Sequence, residues 1–189
     1  MRIGIAGYMG AGKTTCARSF ESGGARVIDA DAEAKALMAR DCQVRDGLRA
    51  AFGDSVAGEG GVRTGELGRA AFQSAESLRA LNRVTHPPLV ARLERLVLGC
   101  AEPLCILDAA LIPLWNIEPW FDLCVWFDAP FETRFERVRA KRADIDEREL
   151  VRRMRLQEEV MGVPADGGRW VKLPDSECRG YIVDFLGKS

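Results

Sequence analysis

Gly7-Tyr-Met-Gly-Ala-Gly-Lys13-Thr14 satisfies the pattern G-x-x-x-x-G-K-[ST] at every position. No other stretch constrains the chain as strongly, because the pattern has meaning only between a strand and a helix. Both flanks are legible. Ile3-Gly-Ile5-Ala is a short apolar run of buried-strand type, and Thr14 to Phe20 is free of Gly and Pro and can continue as a helix. Gly7, Gly10 and Gly12 carry no Cβ, so the backbone can coil tightly and turn successive N–H groups inward. The positive dipole end of a helix starting near Lys13 adds to that field. The stretch therefore predicts a nucleotide phosphate site built from Gly7, Tyr8, Met9, Gly10, Ala11, Gly12, Lys13, Thr14 and Thr15. Lys13 is expected to bridge the β- and γ-phosphates as a point charge, and the Thr14 hydroxyl to ligate Mg²⁺.

At 189 residues the chain can bury a core as one domain, with room for an inserted lobe. Its 27 Lys and Arg against 28 Asp and Glu leave a net charge of −1, which gives no global argument for nucleic acid or a membrane surface as partner. No signal-peptide pattern opens the sequence and no apolar run reaches about eighteen residues, so a cytoplasmic protein without a membrane span is expected. Cys16, Cys42, Cys100, Cys105, Cys124 and Cys178 are scattered without a C-x-x-C pair, and read as reduced thiols rather than zinc ligands or disulfides.

Arg26-Val-Ile28 reads as a second strand with Asp29-Ala-Asp31 at its C-terminal end, where ligands gather in open parallel sheets. Either carboxylate there can orient Mg²⁺ through water, and one can accept the proton of an attacking hydroxyl. Asp31 also has the chemistry of an N-cap for a helix over Ala32–Ala39, and the two roles are compatible. Residues 41–100 read as a helical insertion, with three- and four-residue apolar spacing over Gln43–Phe52, Ser77–Asn82 and Leu89–Leu98, and a turn at 58–61. His86, the only histidine, precedes Pro87 and predicts a helix entry, as a structural residue or a substrate contact. Pro103–Leu107 and Leu123–Phe127 are continuous apolar runs, as strands covered on both faces should be. Asp108 closes the first like the acidic residue of a Walker-B strand, and Asp128 closes the second. Trp115, Trp120 and Phe121 between them read as packing.

Two basic helices, Phe131–Arg142 and Arg148–Gln157, joined by a short polar turn have the form of a kinase lid that brings guanidiniums onto a transferring phosphoryl group. At least one of Arg137, Lys141 and Arg142 is expected on phosphate, while Glu132, Glu136 and Glu147 can pair with other arginines on the surface. Trp170–Leu173 reads as a last strand and Cys178–Leu186 as a closing helix. The pattern predicts an α/β three-layer fold with a parallel sheet of about five strands. Within a single domain, the core would take 1–40, 101–130 and 165–189, the helical acceptor lobe about 41–100 and the lid about 131–160.

In these pieces the chain resembles the dephospho-coenzyme A kinases, a family of P-loop kinases. The matching segments are the Gly7–Thr14 loop, Gly24-Ala-Arg-Val-Ile-Asp-Ala-Asp31, Leu67-Gly68 with Phe72, Leu81-Asn82 with His86-Pro87, the lid arginines and Gln157. The resemblance implies transfer of the ATP γ-phosphate to the ribose 3′-hydroxyl of dephospho-CoA, with Mg²⁺. By position it makes Asp31 the general base, Arg142 the lid arginine and His86 a residue of the acceptor lobe. Asp108, which could act on Mg²⁺ as a strand-end residue of Walker-B type, is taken with Asp31 and His86 as a candidate for binding the acceptor.

The chain departs from the family at several points. The Pro-Leu-Leu-x-Glu segment after the third strand is Asp108-Ala-Ala-Leu-Ile-Pro-Leu114, and the arginine three places before Leu-Gly is Thr64, with Arg63 one place off. The spacing from Arg137 to Arg142 is one residue longer. The Ala-Asp-x-Val-Ile-x-Asn segment near the adenine has no counterpart, since Ala165-Asp166 stands too far from Trp170 and no asparagine follows. Two other readings stay open: a P-loop kinase for a nucleotide or shikimate, and a nucleotide-binding protein without transfer activity.

Overall fold

The computed structural model describes residues 1–58, 60–142, 145–164 and 168–188. Ala165, Asp166 and Gly167 lie outside the described residues. In chain order the elements are β1 (Arg2–Gly7), α1 (Lys13–Arg18), β2 (Arg26–Asp29), α2 (Ala30–Arg40), α3 (Cys42–Phe52), β3 (Ala57–Gly58), β4 (Gly61–Val62), α4 (Thr64–Ala71) and α5 (Ala75–Leu98). They continue with β5 (Cys105–Asp108), α6 (Ile112–Trp115), β6 (Leu123–Asp128), α7 (Phe131–Lys141), α8 (Glu147–Met161), β7 (Trp170–Pro174) and α9 (Asp175–Gly187). The chain forms two compact units, one of Met1–Asp29 with Val97–Ser189 and one of Ala30–Leu96.

The first unit is built on a five-stranded parallel sheet in the order β2-β5-β1-β6-β7. Ile3, Ile5, Ile106, Leu123, Val125 and Phe127 face one side, where Cys16 and Ala17 of α1 and Cys178 and Ile182 of α9 close the core. On the other side Gly4 makes room for α6: a Cβ there would stand 3.0 Å from the Ile112 side chain and 3.1 Å from Phe121. Burial on both faces explains why these strands are continuously apolar. Each fully buried Ile or Phe contributes about 1.5–3 kcal/mol. β1 connects to β2 on one side and its neighbour β6 connects to β7 on the other, so the two crossovers leave in opposite directions. That opens a crevice beyond the C-terminal end of β1, where the glycine-rich loop begins.

The second unit packs α2–α5 and the β3–β4 hairpin around Val44, Leu48, Val56, Ala57 and Leu67. Asp41 caps α3, its carboxylate accepting from the Gln43 and Val44 amides at 2.9 and 3.2 Å. Arg63 donates to the Asp54 and Ser55 carbonyls at 2.7 and 3.0 Å, so the arginine displaced by one place in the sequence ties down a loop.

Four expectations about local structure need correction. Helix α2 starts directly off β2 at Ala30, so Asp31 lies in its first turn instead of capping a helix over 32–39. His86, Pro87 and Pro88 lie inside the 24-residue helix α5, not at a helix entry. The two prolines remove two amide donors at about 3 kcal/mol each. Leu78, Leu89, Leu93 and Val97, all buried along that helix, return about 6–12 kcal/mol and keep it continuous. The stretch read as a helical insertion with a turn at 58–61 also contains the short β3–β4 pairing. The closing helix starts at Asp175, ahead of Cys178, because Pro174 breaks the strand and fixes the helix start.

Candidate active site

The loop between β1 and α1 is held in a shape that requires glycine. Gly10 has φ +82°, and a Cβ on it would stand 2.5 Å from the carbonyl oxygen of Arg134 in α7. Gly12 caps α1 at φ 97°. Within this frame Lys13 Nζ donates to the Tyr8 carbonyl at 3.1 Å, and the Ala11 N–H donates to the same oxygen at 3.2 Å. The Thr14 hydroxyl donates to the carboxylate of Asp108, the last residue of β5, which is 6% exposed. Asp29 ends the neighbouring strand in register with Asp108 and pairs with Arg18 at 3.9 Å. Thr15 is exposed.

Helices α7 and α8 bear directly on this loop. Gln157 Oε1 accepts the Met9 N–H at 2.7 Å. Arg134, buried to 3% exposure, donates to the Ala129 carbonyl at 3.0 Å, pairs with Glu158, and lies 5.1 Å over the Tyr8 ring, whose edge meets Trp126. Burial raises the Tyr8 phenol above its ordinary pKa, with the Glu158 carboxylate adding to the effect. Of Arg137, Lys141 and Arg142, Arg137 is brought to the loop. Its Nη1 lies 2.7 Å from Asp175 and 3.5 Å from the Gly10 carbonyl. Arg142 caps α7 from an exposed position, and Lys141 is exposed as well.

In the second unit Asp31 is exposed in the first turn of α2, and Glu33, two residues on in the same turn, pairs with Arg92 of α5. His86 is partly buried in α5, and loss of solvent lowers its pKa from 6.5 to about 4, so the ring is neutral near pH 7. A cavity of about 430 Å³ between α2 and α5 is lined by Leu37, Arg40, Pro88, Arg92 and Arg95 among others. At about 100° per residue, Leu37 and Arg40 lie on the face of α2 away from Asp31.

All six cysteines are free. Burial pushes the thiols of Cys16 up to about 11 and of Cys105, Cys124 and Cys178 up to about 12, so none of these four is a thiolate near neutral pH.

Sequence reasoning passed over Arg134 and Asp175 and gave Gln157 no role. A signal existed for the first: Phe131, Arg134 and Val138 lie three and four residues apart, on the face of α7 that turns inward. Pro174-Asp175-Ser-Glu is a helix-start pattern that places Asp175 in the first turn of α9.

The geometry agrees with the relationships of the sequence. The family model for dephospho-CoA kinase matches residues 1–161. The chain belongs to the dephospho-CoA kinase family. Among individual relatives, the dephospho-CoA kinase of Corynebacterium diphtheriae is 36% identical over 141 residues, covering 72% of this chain and 70% of the relative. The enzyme of the same name from Thermobifida fusca is 32% identical over 144 residues, covering 75% and 72%. The crystal structure of TT1252 from Thermus thermophilus superposes with a TM-score of 0.70 at 27% identity, covering 100% of this chain and 98% of that one. The dephospho-CoA kinase match ends at residue 161, before β7 and α9, the region where the adenine-site segment is not legible.

Among the described residues no helix is long and apolar enough to cross a membrane.

Proposed function

We propose that the chain transfers the γ-phosphoryl group of ATP to the ribose 3′-hydroxyl of dephospho-CoA, giving coenzyme A and ADP, the last step of coenzyme A synthesis. The observation that carries this reading is the contact between the Thr14 hydroxyl and the buried Asp108 carboxylate beside a complete phosphate loop, in a chain of this family.

Thr14 and Asp108 supply a hydroxyl and a carboxylate, the oxygen set that suits Mg²⁺, a cation that keeps waters and takes phosphate oxygens as its remaining ligands. When bound, Mg²⁺ would neutralise charge developing on the phosphates. Lys13 leaves the Tyr8 carbonyl for the β- and γ-phosphates, a short move for a flexible ammonium. Amides of the loop of residues 7–15 wrap the phosphates, except those of Met9 and Ala11, which Gln157 and the Tyr8 carbonyl take. Arg137 meets the transferring group, with Arg142 brought in when the hairpin of residues 131–160 closes. Asp31, two residues beyond the end of β2, acts as general base on the acceptor hydroxyl. The helical lobe, with the neutral His86, holds the acceptor. ATP is preferred to GTP by family membership. The transition state is loose, so positioning and charge neutralisation carry most of the acceleration.

The reading is tested by ADP release with ATP and Mg²⁺ in the presence of dephospho-CoA, AMP, shikimate or no acceptor. Turnover confined to dephospho-CoA supports it. Turnover with another acceptor in the panel, or none with any, overturns it.

A further inference from the structure

One peptide group in the phosphate loop is held from both sides. The Tyr8 carbonyl and the Met9 N–H belong to the same planar unit and point in opposite directions. The N–H is taken by Gln157 Oε1 at 2.7 Å, from α8 and far along the chain. The carbonyl accepts from Lys13 Nζ at 3.1 Å and from the Ala11 N–H at 3.2 Å. Rotation of this peptide would withdraw the oxygen that holds the Lys13 ammonium.

The neighbouring residues restrain the same unit. Glu158, next to Gln157, pairs with Arg134, whose guanidinium lies against the Tyr8 ring at 5.1 Å and is fixed to the Ala129 carbonyl at 3.0 Å. Arg134 Nη1 is buried without a hydrogen-bond partner among the described residues. That donor stays unpaired while the guanidinium keeps its place on Tyr8.

We propose that Gln157 is a positioning residue for Lys13, acting through the Tyr8–Met9 peptide, with the Arg134–Glu158 pair fixing the Tyr8 side of the same unit. Gln157 touches neither nucleotide nor acceptor. It sets the peptide orientation that pre-places the lysine, and thereby links the α7–α8 hairpin to nucleotide affinity. The inference rests on the reading of the loop as an ATP site and requires nothing of the acceptor.

The test is equilibrium binding of ATP to the full chain by calorimetry, in wild type, Gln157→Met, Gln157→Glu, Lys13→Met and the double variant Lys13→Met/Gln157→Met, with thermal unfolding run on each. Gln157→Met, which keeps the length and removes the acceptor, should weaken ATP about tenfold, the worth of one hydrogen bond. Gln157→Glu, which keeps an acceptor oxygen, should retain affinity within about threefold. Because Gln157 acts through Lys13, the effect of Gln157→Met should vanish in the Lys13→Met background. Equal weakening in both backgrounds overturns the proposal, as does unchanged affinity in Gln157→Met. If Gln157→Met fails to fold, a Gln157→Glu variant that folds but loses ATP tenfold does the same. Absence of ATP binding in wild type would overturn both this proposal and the functional reading. Normal ATP binding with no transfer to dephospho-CoA would overturn the functional reading alone.

Discussion

Arg137 lies between Asp175 and the phosphate loop, its Nη1 2.7 Å from the Asp175 carboxylate and 3.5 Å from the Gly10 carbonyl. An anion bound in the loop would compete with Asp175 for the same guanidinium. The pair is partly exposed, with side-chain exposures of 41% and 22%, so it is worth about 0–1 kcal/mol. Asp175→Ala should therefore lower the KM for ATP, by at most about fivefold. Arg137→Ala should raise the same KM and reduce kcat/KM about a hundredfold, the scale of one donor removed from a developing charge. Steady-state kinetics at two salt concentrations check both; an Asp175→Ala enzyme with a raised KM for ATP would contradict the competition.

Gly10→Ala adds a methyl where the Arg134 carbonyl already stands 2.5 Å from the position it would take, at a φ that L side chains avoid. Overpacking alone costs about 1–3 kcal/mol, and the φ adds about 1–2 more. The expected result is a Tm lower by several degrees and loss of nucleotide binding, read by calorimetry with and without ATP. Gly24→Ala, at φ +84° but in open space, should lower Tm less and leave ATP affinity unchanged.

His86 has a folded-state pKa of about 4 against 6.5 in the unfolded chain. Between these values the unfolded state binds the proton and the folded state does not. The folded state is therefore favoured above pH 6.5, and its advantage is lost progressively as pH falls toward 4. Thermal unfolding from pH 7.5 to 4.5 should show a decline that His86→Gln makes shallower. An imidazole titrating near 6.5 in the folded protein by NMR would contradict this.

Asp108→Asn keeps the side-chain size and the place of the Thr14 contact but removes the charge. Turnover should fall about a hundredfold, with a higher Mg²⁺ requirement, while the fold is kept. A Mg²⁺ titration of initial rate is the check, and a wild-type Mg²⁺ dependence would remove Asp108 from the cation's surroundings.

The sheet was readable because β1, β5 and β6 are covered on both faces, which forces unbroken apolar runs that local pattern detects. The phosphate loop was readable because its glycines answer a local backbone demand. Two kinds of feature were not. The continuity of α5 through Pro87 and Pro88 is supported by burial of Leu78, Leu89, Leu93 and Val97 along the whole helix, which a local rule about the residue before proline does not see. Arg134 and Gln157 act across long stretches of chain on Tyr8 and Met9, and a basic helix gives no local sign that one of its arginines is buried. Asp31 and His86 stood out by residue type and order along the chain, while their first-turn and mid-helix positions are set by the helices they lie in.

The central claim is transfer to one hydroxyl. The most direct measurement is ³¹P NMR of the reaction of this chain with ATP, Mg²⁺ and dephospho-CoA. The account predicts loss of the ATP γ signal and the rise of ADP with one new phosphomonoester on the 3′ position of the acceptor ribose, absent with Asp31→Asn. ADP appearing with inorganic phosphate alone, or a phosphomonoester at any other position, would contradict it.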